Sequence, residues 1–144
     1  RRKVLDVLAP GGKAIISTPN ALGWGAGAFG SGWINWHAPY HLNLFSERSL
    51  LLAAGKCGFA VDGMRTQTTS AWLGYQLVSL LYFPERGEPS AFWTGRDREG
   101  VAKRALERMM RLAFRTKVNH VITRLADAAG VGDGIRAILS KRDG

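Results

Sequence analysis

At 144 residues, 46% hydrophobic and 22% charged, the chain has the composition of one ordinary globular domain, which excludes a disordered chain. Lys and Arg number 20 against 11 Asp and Glu, a net charge of +9. The single cysteine, Cys57, excludes an intrachain disulfide framework and a Cys-rich zinc site. The longest apolar run, residues 71–83, falls short of the roughly 20 residues that a membrane-spanning helix needs.

Residues 1–8 read as the end of an amphipathic helix, with Val4, Leu5, Val7 and Leu8 on or near one face. The helix has no capping residue in front and is too short to stand alone, so an earlier part of the helix and of the protein is expected before Arg1. Ala9-Pro10-Gly11-Gly12 predicts a type II turn, with Gly11 at the position that needs positive φ. Residues 13–18 form a short apolar run without polar alternation, which predicts a strand buried on both faces of an α/β sheet.

Residues 21–45 are rich in Gly and Trp with little periodicity, as in a long ordered loop or lid. Ser46 is a helix N-cap, the helix runs through Leu50 to Cys57, and Gly58 ends it in the left-handed conformation. Residues 59–68 alternate as a strand, residues 71–83 form an apolar helix or hairpin-like excursion, and residues 85–100 read as a loop. A helix spans 101–129 with a break near 117–119, and its apolar set is Ala102, Leu106, Met109, Ala113, Val118, Val121, Ile122 and Leu125. Gly130 ends it, and residues 135–141 form a last strand.

Gly25-Ala26-Gly27-Ala28-Phe29-Gly30 matches the dinucleotide fingerprint as a string, but Pro19 and Trp24 separate it from the preceding strand. The match is therefore read as coincidental. His37 and His41 are four apart, yet Pro39 breaks any helix between them and no carboxylate accompanies them, which argues against a metal site. They remain either structural histidines or a general base in a cleft. Cys57 reads as a buried thiol. Arg104, Arg108, Arg111 and Arg115, spaced four, three and four, form a basic helix face. It reads as a solvated outer face or as a contact for anionic lipid, a phosphorylated substrate or nucleic acid, the last being the weakest.

Two segments together carry a resemblance. The pattern of Val4, Val7-Leu8, Pro10-Gly11-Gly12 and Thr18-Pro19-Asn20 resembles the helix, turn and fifth strand of class I S-adenosylmethionine-dependent methyltransferases. Phe29-Gly30, Trp33, Pro39-Tyr40-His41-Leu42, Leu44-Phe45-Ser46, Ser49-Leu50, Gly58-Phe59 and Gly132-Asp133-Gly134-Ile135 resemble a bacterial subgroup similar to ubiquinone-biosynthesis and glycan-associated enzymes. The resemblance is close over residues 1–67, loose over 130–141 and only general between.

The resemblance implies an α/β fold, the C-terminal part of a Rossmann-like methyltransferase sheet. Residues 14–18 would be strand five, 59–68 strand six, and 135–141 strand seven, antiparallel between the other two. A single partial domain follows: strand five, lid loop, helix and strand six over 1–68, a mainly helical insertion over 69–129, and the last strand over 130–144. Strands one to four, which carry the cofactor-binding positions of the family, would precede Arg1. S-adenosylmethionine is thus expected in the parent protein and not on this chain alone, which would be inactive.

The implied acceptor pocket uses Thr18, Pro19 and Asn20, with Trp33, Trp36 and Tyr40 above them, and His37 or His41 as proton acceptor for a hydroxyl substrate. The acceptor is a small molecule, lipid or glycan. Departures from the subgroup at Leu51 and Leu52 predict leucines exposed to a partner, and the open edge of strand five predicts self-association. The expected location is the cytoplasm, with peripheral membrane contact as an alternative. The competing functional reading is a non-catalytic basic module that attaches to an anionic or membrane surface through the basic helix and residues 72–83.

Overall fold

The computed structural model describes residues 2–36, 41–82 and 100–142. Among these residues there are three strands and six α-helices, an α/β arrangement around one antiparallel sheet. Helix α1 (Arg2–Val7) leads through the Pro10-Gly11 turn, where Gly11 has φ +73°, into β1 (Lys13–Pro19). The segment expected to be loop contains a short helix, α2 (Trp24–Phe29), and two 3-10 turns over Gly30–Gly32 and Ile34–Trp36.

Helix α3 (Glu47–Lys56) starts where the sequence predicts. Ser46 accepts from the Ser49 amide while the Ser49 hydroxyl accepts from the Ser46 amide, a reciprocal cap that satisfies two otherwise orphaned donors. Gly58, at φ +84°, then turns the chain into β2 (Phe59–Gln67). The apolar run 71–83 resolves as a helix, α4 (Ser70–Leu81). The predicted break in the long helix lies at Lys117, φ +59°, which separates α5 (Val101–Arg115) from α6 (Val118–Ala128). Strand β3 (Gly134–Lys141) closes the chain order. The expected loop at 85–100 lies almost wholly outside the described residues.

The strand order is β1-β3-β2, with β3 antiparallel to both neighbours. The last strand in sequence is therefore inserted between the first two, antiparallel to both. Side chains alternate across the sheet, so Ile135, Ala137 and Leu139 of β3 share one face. That face packs against Leu50 and Ala54 of α3, with Phe59 in the same cluster and Leu5, Leu8, Phe45 and Met64 around it. Cys57 is half-buried beside this core rather than fully buried.

Strand β1 departs from expectation. Ile15 is 59% exposed and lies opposite Ile138 of β3, which is also exposed. The described elements cover one face of the sheet and leave the other bare around these two residues. In the same pairing pattern Ser17 faces Arg136, and Arg136 faces Arg65. The register slips between Val61 and Gly63. At this bulge Asp62 accepts from the Ser140 hydroxyl at 2.7 Å and pairs with Lys13 at 3.1 Å, tying all three strands at one end. Those two contacts, the Ser140 hydrogen bond first, hold the Asp62 carboxyl below its ordinary range.

The apolar set of the helices after β2 is divided between inside and outside. Leu106 and Ala113 are half-buried, but Met109, Val118, Val121, Ile122 and Leu125 of the expected apolar face are exposed. Leu51 and Leu52 of α3 are exposed, as expected. No described helix is long and apolar enough to cross a membrane.

Candidate functional site

Because β3 runs against its neighbours, its first residues meet the C-terminal ends of β1 and β2. Such strand ends leave backbone and side chains free of the ladder, and in open α/β sheets they are where ligands bind. A hollow of about 230 Å³ opens there. Ser17, Thr18 and Pro19 from β1, Gln67 at the end of β2 with Thr68 and Thr69 after it, and Asp133 and Gly134 at the entry to β3 form its floor and walls. Asn35, His41 and Trp72 complete the lining.

Asp133 organises the site. It is buried, and its two carboxylate oxygens are divided between two donors: the Trp33 indole at 3.0 Å and the Gly25 amide at 3.1 Å. Its backbone amide donates to the Thr68 hydroxyl at 2.9 Å, and its carbonyl accepts from the Asn20 amide at 2.9 Å. One residue thus joins the first turn of α2, the 3-10 segment, the end of β1 and the segment after β2. Burial pushes the Asp133 carboxyl above its usual range, and the bonds from Trp33 and Gly25 partly oppose this.

The same contacts dispose of the dinucleotide fingerprint. The Gly25 amide, which would have to meet a phosphate, donates to a carboxylate, and that carboxylate would repel a second anion. Gly25 is nevertheless required. A Cβ there would collide with the Asp133 carboxylate, whereas one at Gly27 would meet nothing.

A second clamp comes from α4. Buried Gln76 accepts from the Ile34 amide and donates to the Gly32 carbonyl, both at 2.8 Å, so one side-chain amide holds both sides of the lid turn. Asn20 fixes the strand end in the same manner. Its side chain donates to the Gly132 carbonyl at 2.9 Å and accepts from the Leu22 amide at 3.1 Å.

Of the residues chosen from sequence, Thr18, Pro19 and His41 line the hollow. Asn20 and Trp33 lie buried behind it, with their polar groups committed to the scaffold. Trp36 does not line it. Its ring is 46% exposed, stands edge-on to Trp33 at 5.2 Å, and its indole donates to the Gly30 carbonyl. His37 and Tyr40 lie outside the described residues. Sequence reasoning missed Asn35, Thr68 and the role of Asp133, and read Trp72 and Gln76 only as part of the apolar run. The Gly132-Asp133-Gly134 turn was the visible signal for Asp133.

The hollow is smaller than the roughly 300 Å³ at which sites for ligands of drug size begin, and the glycine-rich turn beside it already seats a carboxylate. No family model matches the chain, and neither a curated protein nor a solved structure matches it.

Proposed function

We propose that the chain is the acceptor-facing part of a S-adenosylmethionine-dependent methyltransferase whose cofactor-binding strands precede β1. One observation carries the reading: β3 lies antiparallel between β1 and β2, while among the described residues no strand pairs with the outer edge of β1 and nothing covers the sheet face around Ile15 and Ile138. A larger Rossmann-like sheet would pair a further strand with that edge and lay helices over that face, since such sheets are covered on both sides. Helices α1 and α3 would then be the ones on the covered face.

In this reading the chain orients the acceptor and keeps water from it. The hydroxyl-rich ends of β1 and β2, Asn35 and Trp72 enclose a small polar group, and Asp133 and Gln76 hold the lid turn above it. His41 receives the acceptor's proton when the acceptor is a hydroxyl. The acceptor is a small molecule or the head of a lipid or glycan. Alignment is the main demand of an in-line transfer, and a rigid lid supplies it.

The test is the coding sequence upstream of Arg1 and the methyl-transfer activity of the whole protein it encodes. An in-frame strand, glycine-rich turn and helix is expected there, and His41→Gln is expected to lower turnover of a hydroxyl acceptor about 100-fold. An upstream sequence without that segment overturns the reading.

A further inference from the structure

Helix α6 is inside out. Its buried side carries Asn119, Thr123 and half-buried Asp127, with Thr123 fully enclosed and donating to the Asn119 carbonyl at 3.0 Å. Its outer side carries Val118, Val121, Ile122 and Leu125, the i, i+3, i+4, i+7 set that normally faces a core. Here Val121 is 58% and Leu125 66% exposed.

Helix α5 keeps an apolar inner side but also exposes an apolar row, with charge added. Leu106, Met110 and Ala113 turn inward, while Val101, Met109 and Leu112 are exposed in a row. Beside that row run Arg104, Arg108, Arg111 and Arg115, all exposed. The one acid of the helix, Glu107, is half-buried and paired with Lys103 at 3.9 Å. The outer surface of α5 therefore presents an apolar strip bordered by positive charge alone.

We infer that α5 and α6 form a docking surface for an anionic lipid bilayer, lying in the interface with their apolar strips among the upper acyl chains. Charge complementarity selects this occupant. Anionic headgroups neutralise the four arginines, whereas a second copy of the same face would bring like charges together. The inference is independent of the methyl-transfer reading, since it uses neither the hollow nor the sheet. It also moves the membrane-facing surface away from residues 72–83. Helix α4 buries Gly74, Gln76 and Ser79 and packs against α5 and α6.

The experiment is co-sedimentation of the protein with vesicles of phosphatidylcholine alone and mixed with phosphatidylglycerol, at low and high salt. Binding is expected on the mixed vesicles at low salt, with at least a roughly tenfold loss at about 0.5 M salt. The double variant Val121→Glu/Leu125→Glu is expected to lose about tenfold or more in partitioning with an unchanged circular dichroism spectrum. Arg108→Gln/Arg111→Gln, a milder pair at exposed positions, is expected to reduce binding only to the anionic vesicles. No binding to mixed vesicles at low salt overturns the inference, as does equal binding by the glutamate variant. Self-association that the glutamate pair abolishes, without vesicle binding, assigns the face to a second copy and also overturns it.

Discussion

The Trp33 indole donates to one oxygen of the Asp133 carboxylate at 3.0 Å, with Trp33 only 2% exposed. The bond joins the end of the 3-10 turn Gly30–Gly32 to the bend just before β3, 100 residues away in the chain. Trp33→Phe leaves a buried carboxylate oxygen without its donor and empties the space of the second ring. The lost donor costs about 1–3 kcal/mol in urea unfolding, and the cavity adds to it. Asp133→Ala strands both the indole and the Gly25 amide and is expected to cost more. The double variant should lose less than the sum, because the two residues share one bond.

The two glycines of the lid helix are expected to respond in opposite ways. Gly25→Ala drives a Cβ into the Asp133 carboxylate and should destabilise by about 1–3 kcal/mol. Gly27→Ala meets open space inside α2 and should stabilise by up to about 1 kcal/mol through the lower entropy of the unfolded chain. Chemical denaturation of the two variants in parallel checks the contrast. A phosphate-binding loop would instead show both changes through ligand affinity.

Asp133 and Asp62 give opposite pH dependences. The Asp133 carboxyl is raised in the folded state by burial, so the native protein holds that proton more tightly than the unfolded chain does. Its contribution to stability is full below the unfolded value of 3.8 and is lost as pH rises through the raised folded value. Asp62 is lowered by the Ser140 hydroxyl and Lys13, so its contribution is present above 3.8 and lost as pH falls through its folded value. Unfolding of wild type and Asp133→Asn across about pH 3 to pH 7 checks the first sign. The variant should gain on the wild type as pH rises, and a constant difference would contradict the assignment.

Gln76 is expected to control the lid without touching the sheet core. Gln76→Leu removes the acceptor for the Ile34 amide and the donor to the Gly32 carbonyl. Hydrogen exchange at Ile34 should accelerate by about tenfold or more, while the amides of β3 keep their protection. Equal acceleration in β3 would show that the lid and the sheet open together.

Much of the scaffold was legible because local chemistry sets it. Ser46, Gly58 and the Pro10-Gly11 turn mark boundaries that side-chain caps and positive φ require, and the structure places them there. The site was legible only in part. Thr18, Pro19 and His41 line the hollow, but Asp133 acts on partners 100 and 108 residues distant, which no local pattern reports. The apolar spacing of Val118, Val121, Ile122 and Leu125 marks a helix, and it leaves one thing open. Periodicity reveals that a helix has an apolar face but not what covers it, and here that face points outward.

The bare edge of β1 has its own consequence. A strand edge left unpaired among the described residues, beside an exposed Ile15, is a template for pairing, so the chain by itself is expected to self-associate. Light scattering should report species larger than one chain, reduced by Ile15→Lys. A clean monomer at all concentrations would count against the open edge.

The most direct measurement is a calorimetric titration of S-adenosylmethionine into the 144-residue chain and, in parallel, into the whole protein encoded from upstream of Arg1. The account predicts no binding heat with the chain and saturable one-site binding with the whole protein. Tight binding by the chain alone, or none by the whole protein, would contradict it.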